Sequence, residues 1–265
     1  MKQAILAVSF GTSYPDTLEN TIATTELTLA GAFPDWEVRR AFTSDRIIKK
    51  LRQRDGLQID NVTQAMDRLQ AEGFTHVAVQ PTYVVYGDEY EKLLAQLEPY
   101  RLGMQVRVGT PLLHGTADDT AVADALLTWL PRPQPDEALI LVGHGTAHSA
   151  NAAYTRLEDL LRAKDGRIWV AMVRGDPPLD SVKRKLAENP AIRKVTLVPL
   201  MLVAGHHARK DMADGVESWK KDGYEVRCVL QGLGQCPAIR TLFAAHCREA
   251  VAGLTDTITA KGGRI

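Results

Sequence analysis

Short apolar runs alternate with longer amphipathic segments along the chain, and the runs have the length of strands. This alternation predicts an α/β fold in which parallel strands are joined by crossover helices. The predicted strands cover residues 3–9, 36–42, 75–81, 104–109, 137–143, 167–173, 194–200 and 224–230. The predicted helices cover residues 15–31, 45–54, 59–73, 88–100, 116–130, 149–164, 178–188, 207–222 and 236–253.

The two halves of the chain resemble each other in the same order of segments. Residues 4–13 align with 138–147, 36–44 with 167–175, and 76–81 with 194–199, so that Phe10 falls on His144 and Glu89 on His207. We interpret the chain as a duplicated unit with two similar domains, residues 1–130 and 136–265, each a parallel sheet flanked by helices. The prolines at 131, 133 and 135 mark the predicted boundary, because closely spaced prolines exclude helix.

Composition narrows the function classes without identifying one. The 265 residues carry 32 Lys and Arg against 32 Asp and Glu, so no global field favours a nucleic-acid or membrane partner. We find no leader and no stretch near the ~20 apolar residues that span a bilayer, which favours a cytoplasmic protein. The three cysteines lack the spacing of a zinc site or a disulfide framework. Composition leaves a homo-oligomer possible.

Chemically active residues cluster at predicted strand ends. In an open parallel sheet, ligands bind beyond the carboxyl ends of the strands, where loops and helix amino termini meet. If the two halves face each other across a cleft, metal-binding and proton-transferring groups gather there. The polar residues at or just after such ends are Ser9, Thr12, Ser44, Glu89, His144, Arg174 and His207.

Four motifs together resemble one known family. They are LAVSFGTS at 6–13, GDEYEKL at 87–93, GHGT at 143–146 and PLMLVAGHHA at 199–208. The chain is similar over nearly its whole length to the anaerobic cobalt chelatases, which act on sirohydrochlorin in cobalamin biosynthesis. The resemblance implies a class II chelatase fold, with two similar α/β domains and an interdomain cleft. It also implies metal insertion without ATP or another nucleotide.

The resemblance assigns roles by position. His144 and His207 match the family's histidines and would be metal ligands and proton acceptors, while Glu89 matches an acidic active-site residue. Arg174 departs from the family, which usually has a glutamate there, and an arginine cannot ligate a metal. We therefore expect Arg174 to bind a carboxylate of the substrate. The third metal ligand stays open, with candidates Glu89, His206 and Asp176.

The remaining substrate contacts follow from the chemistry of sirohydrochlorin, whose carboxylates need hydrogen-bond donors. Ser9, Thr12, Ser13 and Thr146 lie where hydroxyls and backbone N–H groups at helix starts favour carboxylate binding. Imidazole suits both ion binding and removal of pyrrole protons, since it changes charge near neutral pH. The expected ion is Co²⁺, with Ni²⁺ or Fe²⁺ possible. Two alternatives stay open, a sirohydrochlorin ferrochelatase and a non-catalytic carrier of haem or another tetrapyrrole.

Overall fold

The computed structural model describes the backbone over residues 2–262 and the side chains over residues 2–205 and 212–254. Its strands are β1 (Gln3–Ser9), β2 (Glu37–Phe42), β3 (His76–Pro81), β4 (Gln105–Val108), β5 (Glu137–Gly143), β6 (Ile168–Met172), β7 (Lys194–Pro199) and β8 (Glu225–Cys228). Its α-helices are α1 (Pro15–Thr17), α2 (Thr24–Ala32), α3 (Asp45–Asp55), α4 (Val62–Ala71), α5 (Asp88–Leu97), α6 (Thr116–Trp129), α7 (Ala152–Lys164), α8 (Leu179–Ala187), α9 (His206–Lys221) and α10 (Pro237–Gly262).

The strands form two parallel sheets with the same topology. The first has the order β2-β1-β3-β4 and the second β6-β5-β7-β8, so each strand of one sheet has a counterpart at the same place in the other. The predicted α/β class and the predicted duplication are both confirmed. Each pair of neighbouring strands is joined through helices, as parallel pairing requires.

The pairing register corrects the sequence alignment at one strand. Ser9 of β1 lies opposite Phe42 of β2, and Gly143 of β5 lies opposite Met172 of β6. Phe42 therefore corresponds to Met172, whereas the alignment of the two halves had placed it on Val173. The alignment was wrong by one residue there, because sequence similarity between β2 and β6 is too weak to fix a register.

The first sheet is buried on both faces at β1, its central strand. Ala4, Leu6 and Val8 face the core built with α4 and α5, whereas Ile5 and Ala7 face the core built with α2 and α10. Successive side chains of a strand point to opposite faces, so a strand covered on both sides needs an unbroken apolar run. That requirement explains why the apolar run of β1 was readable in the sequence.

The compact units of the structure differ from the predicted halves. One unit comprises the chain up to Leu112 together with the chain from Arg240 onward, and the other comprises Leu113–Ile239. The predicted boundary at 131–135 therefore lies inside the second unit. Helix α6 belongs there because it packs against α7, where Arg156 Nε donates to the buried Asp119 carboxylate at 2.6 Å.

Helix α10 completes the first unit from the far end of the sequence. Its buried face, which includes Ala244, Cys247 and Leu254, packs with Leu29 of α2 and Ile5 of β1. No helix of the described residues, α10 included, is long and apolar enough to cross a membrane.

The predicted helix over 15–31 is interrupted by a π-helical segment, Leu18–Ala23, between α1 and α2. Threonine hydroxyls bond to main-chain carbonyls one turn back along this stretch: Thr21 to Thr17, Thr25 to Thr21 at 2.8 Å, and Thr28 to Thr24 at 2.9 Å. Such back-bonding competes with the helical ladder and bends helices. The threonine spacing was visible in the sequence, but its effect on the helix was not predicted.

Candidate active site

His144 lies at the carboxyl end of β5, where the buried apolar run ends at Gly143 and the chain turns outward. Its side chain is exposed, and its Nδ1 lies 3.1 Å from the carbonyl oxygen of Gly145. A carbonyl only accepts, so Nδ1 carries the hydrogen in this contact. The neutral ring then has its lone pair on Nε2, which can bind a metal ion or accept a proton.

The His144 loop is fixed to the loop after β6 by backbone contacts. The Arg174 N–H donates to the His144 carbonyl at 2.8 Å, and the Val173 N–H donates to the Gly143 carbonyl at 2.9 Å. Gly145 has φ +76°, and a Cβ there would lie 1.5 Å from the Arg174 carbonyl oxygen. Only glycine fits this close approach, so the sequence Gly-His-Gly is a packing requirement as well as a chemical motif.

Asn151 links the same two loops through its side chain. Its Oδ1 accepts from the Thr146 N–H at 3.4 Å, and its Nδ2 donates to the Asp176 carbonyl at 2.5 Å. Asn151 was not among the residues predicted from the sequence. The available signal was an asparagine in the short 3₁₀ turn Ser149–Asn151 that leads into α7, where such residues commonly bond to nearby backbone.

Arg174 and Asp176 are both exposed. Within the described part of the chain, the Arg174 guanidinium, with its five N–H donors, makes neither a hydrogen bond nor a salt bridge. Only the backbone of Arg174 contacts His144. The structure therefore places a cationic side chain one loop away from the imidazole in the same unit.

His206 and His207 lie at the start of α9, directly after the N-cap residue Gly205. His207 is the second residue of α9, as Glu89 is the second residue of α5, which confirms the predicted correspondence of the two helix starts. The side chains of residues 206–211 lie outside the described residues. The predicted ligand roles of His206 and His207 therefore stay predictions.

Glu89 belongs to the first unit, in the first turn of α5. Its carboxylate is exposed and accepts from Lys92 Nζ at 2.9 Å. Nearby, burial raises the pKa of Tyr83, and the Glu89 charge adds to this shift. The buried hydroxyls of Tyr83 and Thr43 make no hydrogen bond within the described residues. Glu89 is thus a solvent-accessible base beside a neutral phenol.

The loop after β1 holds its hydroxyls inward. Ser9, Thr12 and Ser13 are 1%, 2% and 6% exposed. The Ser9 hydroxyl lies 2.9 Å from that of Thr82, and the Thr12 hydroxyl accepts from the Tyr14 N–H at 3.3 Å. These side chains stabilise the loop rather than project from it. Their predicted contact with a ligand would therefore have to be made by backbone groups of the loop.

No group of three or more His, Cys, Asp or Glu side chains that could hold a metal ion is found among the described residues. The side chains of His206 and His207 are outside the described residues. Among the described residues, His144 is the predicted metal ligand whose side chain can be placed. The described residues alone do not form a complete set of metal ligands.

Comparisons with known proteins agree over nearly the full chain. A family described as "Cobalt chelatase (CbiK)" matches residues 3–252. A sirohydrochlorin cobaltochelatase of Salmonella typhimurium is 42% identical over 257 residues, covering 95% of this chain and 97% of the relative. The sirohydrochlorin cobaltochelatase CbiKC of Nitratidesulfovibrio vulgaris is 34% identical over 264 residues, covering 96% and 93%.

Solved structures share the fold at lower identity. SirB from Bacillus subtilis with Fe³⁺ has a TM-score of 0.67 at 19% identity, covering 95% of this chain and 96% of that one. CbiX, described as the terminal enzyme for siroheme biosynthesis in denitrifying bacteria, has a TM-score of 0.57 at 18% identity, covering 94% and 99%. At these identities the likeness extends to the fold alone.

Proposed function

The chain belongs to the cobalt chelatase (CbiK) family, and on this premise we propose that it is a sirohydrochlorin cobaltochelatase, which inserts Co²⁺ into sirohydrochlorin. The proposal is supported by relatives of that name that match this chain almost end to end. The proposed reaction needs no ATP or other nucleotide and no nucleic-acid or membrane partner. Co²⁺ is a substrate here, and the tetrapyrrole is the second substrate.

The proposed chemistry depends on one observation, the exposed side chain of His144. Insertion of a divalent ion forms bonds from the ion to the pyrrole nitrogens and releases two N–H protons from the macrocycle. The exposed Nε2 of His144 carries a lone pair because Nδ1 is engaged with the Gly145 carbonyl. That nitrogen can hold an incoming ion loosely and then accept a displaced proton, since imidazole changes charge near neutral pH.

His207 is the proposed second ligand, by its position in the family motif. Two imidazoles leave much of the coordination shell of the ion unfilled, which permits transfer to the macrocycle. Imidazole also binds Fe²⁺ and Ni²⁺, and affinity for a given site rises from Fe²⁺ to Co²⁺ to Ni²⁺. The ligand set by itself therefore does not reject these ions, and sirohydrochlorin ferrochelatase activity is the expected side reaction.

Glu89 is the proposed auxiliary base, and Glu89→Gln tests it. We expect kcat for Co²⁺ insertion to fall about tenfold, because the amide cannot accept a proton. The melting temperature should stay nearly unchanged, because an exposed ion pair such as Glu89 with Lys92 contributes little to stability. Steady-state absorbance assays and thermal melts measure both quantities.

Glu98→Gln is the matched control for this variant. Glu98 also forms an exposed i,i+3 pair, with Arg101, but at the end of α5 rather than at its start. Equal rates of Co²⁺ insertion for Glu89→Gln and the control would show that Glu89 takes no part in the reaction.

Arg174 is the proposed carboxylate-binding residue, because its exposed guanidinium has no partner among the described residues. Arg174→Ala should raise KM for sirohydrochlorin about tenfold, the loss of one charge-assisted hydrogen bond, while Co²⁺ affinity stays unchanged. Arg184→Ala removes an exposed arginine from α8 of the same unit and should leave both constants alone. A variant with weakened Co²⁺ binding and normal KM would refute the assignment.

The competing function is a carrier that binds the tetrapyrrole and never metallates it. Anaerobic single-turnover spectra separate the two: protein in excess over sirohydrochlorin is mixed with Co²⁺, and the absorbance of the macrocycle is followed. We expect the bound macrocycle to convert to the cobalt form faster than the free one. Binding without faster conversion would establish the carrier instead.

A further inference from the structure

Phe10 is an aromatic side chain turned toward solvent at the carboxyl end of β1. The residue is 47% exposed, although β1 itself is buried up to Ser9. The other large apolar side chains exposed in the described residues are leucines: Leu27, Leu57, Leu102 and Leu230. A single exposed apolar residue needs no explanation by itself. The position of Phe10 in the fold is what indicates a function for it.

The backbone of Phe10 is held in place, so its ring is not on a frayed loop. The Ser44 N–H donates to the Phe10 carbonyl at 3.3 Å, and the Thr43 N–H donates to the Ser9 carbonyl at 3.0 Å. Gly11 follows with φ +95°, and a Cβ there would lie 2.6 Å from the Phe42 ring. The chain can make this turn only with glycine at 11, and the turn leaves the Phe10 ring outside the core.

Phe10 and His144 occupy equivalent positions in the two repeats. Each follows the last residue of the central strand, and each precedes a glycine of positive φ. Each carbonyl accepts from a backbone N–H in the neighbouring loop, from Ser44 for Phe10 and from Arg174 for His144. The structure therefore confirms the alignment of these two residues and shows that Ser44 corresponds to Arg174.

We propose that the Phe10 ring is a binding surface for the flat face of the tetrapyrrole. The inference rests on the proposed function and deepens it by naming a residue for macrocycle recognition. A benzene ring neither binds a divalent ion nor accepts a proton, so this position of the first repeat cannot share the chemistry of His144. What it retains is a flat apolar surface, which packs favourably against a conjugated ring system.

The Phe10 ring supplies apolar contact that depends on the shape of the macrocycle rather than on its charge. Phe10 is thus a specificity residue for planar conjugated substrates, distinct from Arg174, whose guanidinium selects for carboxylates.

The test is Phe10→Ala, measured with metal-free sirohydrochlorin and separately with Co²⁺. We expect Kd and KM for sirohydrochlorin to rise about tenfold, because stacking and burial of an aromatic ring are lost. The kcat should stay within about twofold and Co²⁺ affinity should not change, since a ring that only packs takes no part in proton or metal transfer. Phe10→Trp should restore binding, and Leu27→Ala, at an exposed residue of α2, should have no effect.

The outcomes separate this inference from the proposed function. If the wild type metallates sirohydrochlorin while Phe10→Ala keeps normal Kd and KM, the macrocycle does not contact Phe10 and only the inference fails. A fall in kcat with unchanged Kd also overturns it, because Phe10 would then act on the chemistry. If the wild type neither binds nor metallates sirohydrochlorin, both the function and the inference fall.

Discussion

Replacing His144 with alanine should lower the rate of Co²⁺ insertion into sirohydrochlorin at least ~100-fold, the size expected when a proton-transferring group is removed. The variant loses the exposed Nε2 that we assign to ion binding and proton acceptance. Its fold should be intact, because the His144 side chain is exposed and its backbone hydrogen bonds do not involve the ring. Anaerobic initial rates and circular dichroism measure the two effects.

His114→Ala is the matched control, because His114 is another exposed histidine of the same unit and precedes α6. It should retain the wild-type rate. A His144→Ala protein that is folded and active to within about twofold of the wild type would show that neither ion binding nor proton removal depends on this ring.

Gly145→Ala should destabilise the second unit by about 3 kcal/mol or more, the range of substitutions that combine strained backbone with a steric clash. The new Cβ would lie 1.5 Å from the Arg174 carbonyl oxygen and would force a φ of +76° on a non-glycine residue. The two loops would have to separate, which breaks the Arg174 to His144 backbone hydrogen bond. Chelatase activity should be lost together with stability.

Tryptophan fluorescence during denaturant unfolding measures this effect well, because Trp129, Trp169 and Trp219 all lie in the second unit. Gly166→Ala, where a Cβ meets nothing within 4 Å, should unfold like the wild type. Gly223→Ala tests strain without a clash, since φ there is +88° and the space is open. If all three variants unfold at the same denaturant concentration, the expected clash at Gly145 is wrong.

The strands and the duplication could be predicted because burial leaves a simple signal. Strands such as β1 and β5, covered on both faces, read as unbroken apolar runs that end at a turn. Their loops carry similar glycine and hydroxyl residues, so the repeat and the candidate site residues could be located by position. His144, Arg174 and the start of α9 are at strand or helix ends as predicted.

The assignment of helices to units could not be predicted. An amphipathic helix shows that it needs an apolar partner, but its sequence does not identify which sheet provides it. The prolines at 131, 133 and 135 indicated a boundary on local grounds, whereas α6 is held in the second unit by tertiary contacts such as Arg156 with Asp119. The same limit applies to α10, which returns to the first sheet.

Details of the site depend on contacts that a sequence does not encode locally. The Asn151 bridge between the two loops follows only from which atoms meet. The burial of the Ser9 hydroxyl against Thr82 likewise depends on pairing between distant strands. Composition and motifs indicated the chemical groups, whereas three-dimensional packing determines which of them are exposed, as His144 is, and which are buried, as Ser9 is.

The most direct measurement is the anaerobic absorbance of sirohydrochlorin mixed with Co²⁺ and a catalytic amount of the purified protein, compared with the same mixture without protein. We expect the metallated spectrum to appear faster than the spontaneous reaction and to continue through many turnovers per protein molecule. A folded protein that binds sirohydrochlorin but leaves the rate of Co²⁺ insertion at the spontaneous value would contradict the assignment of a chelatase.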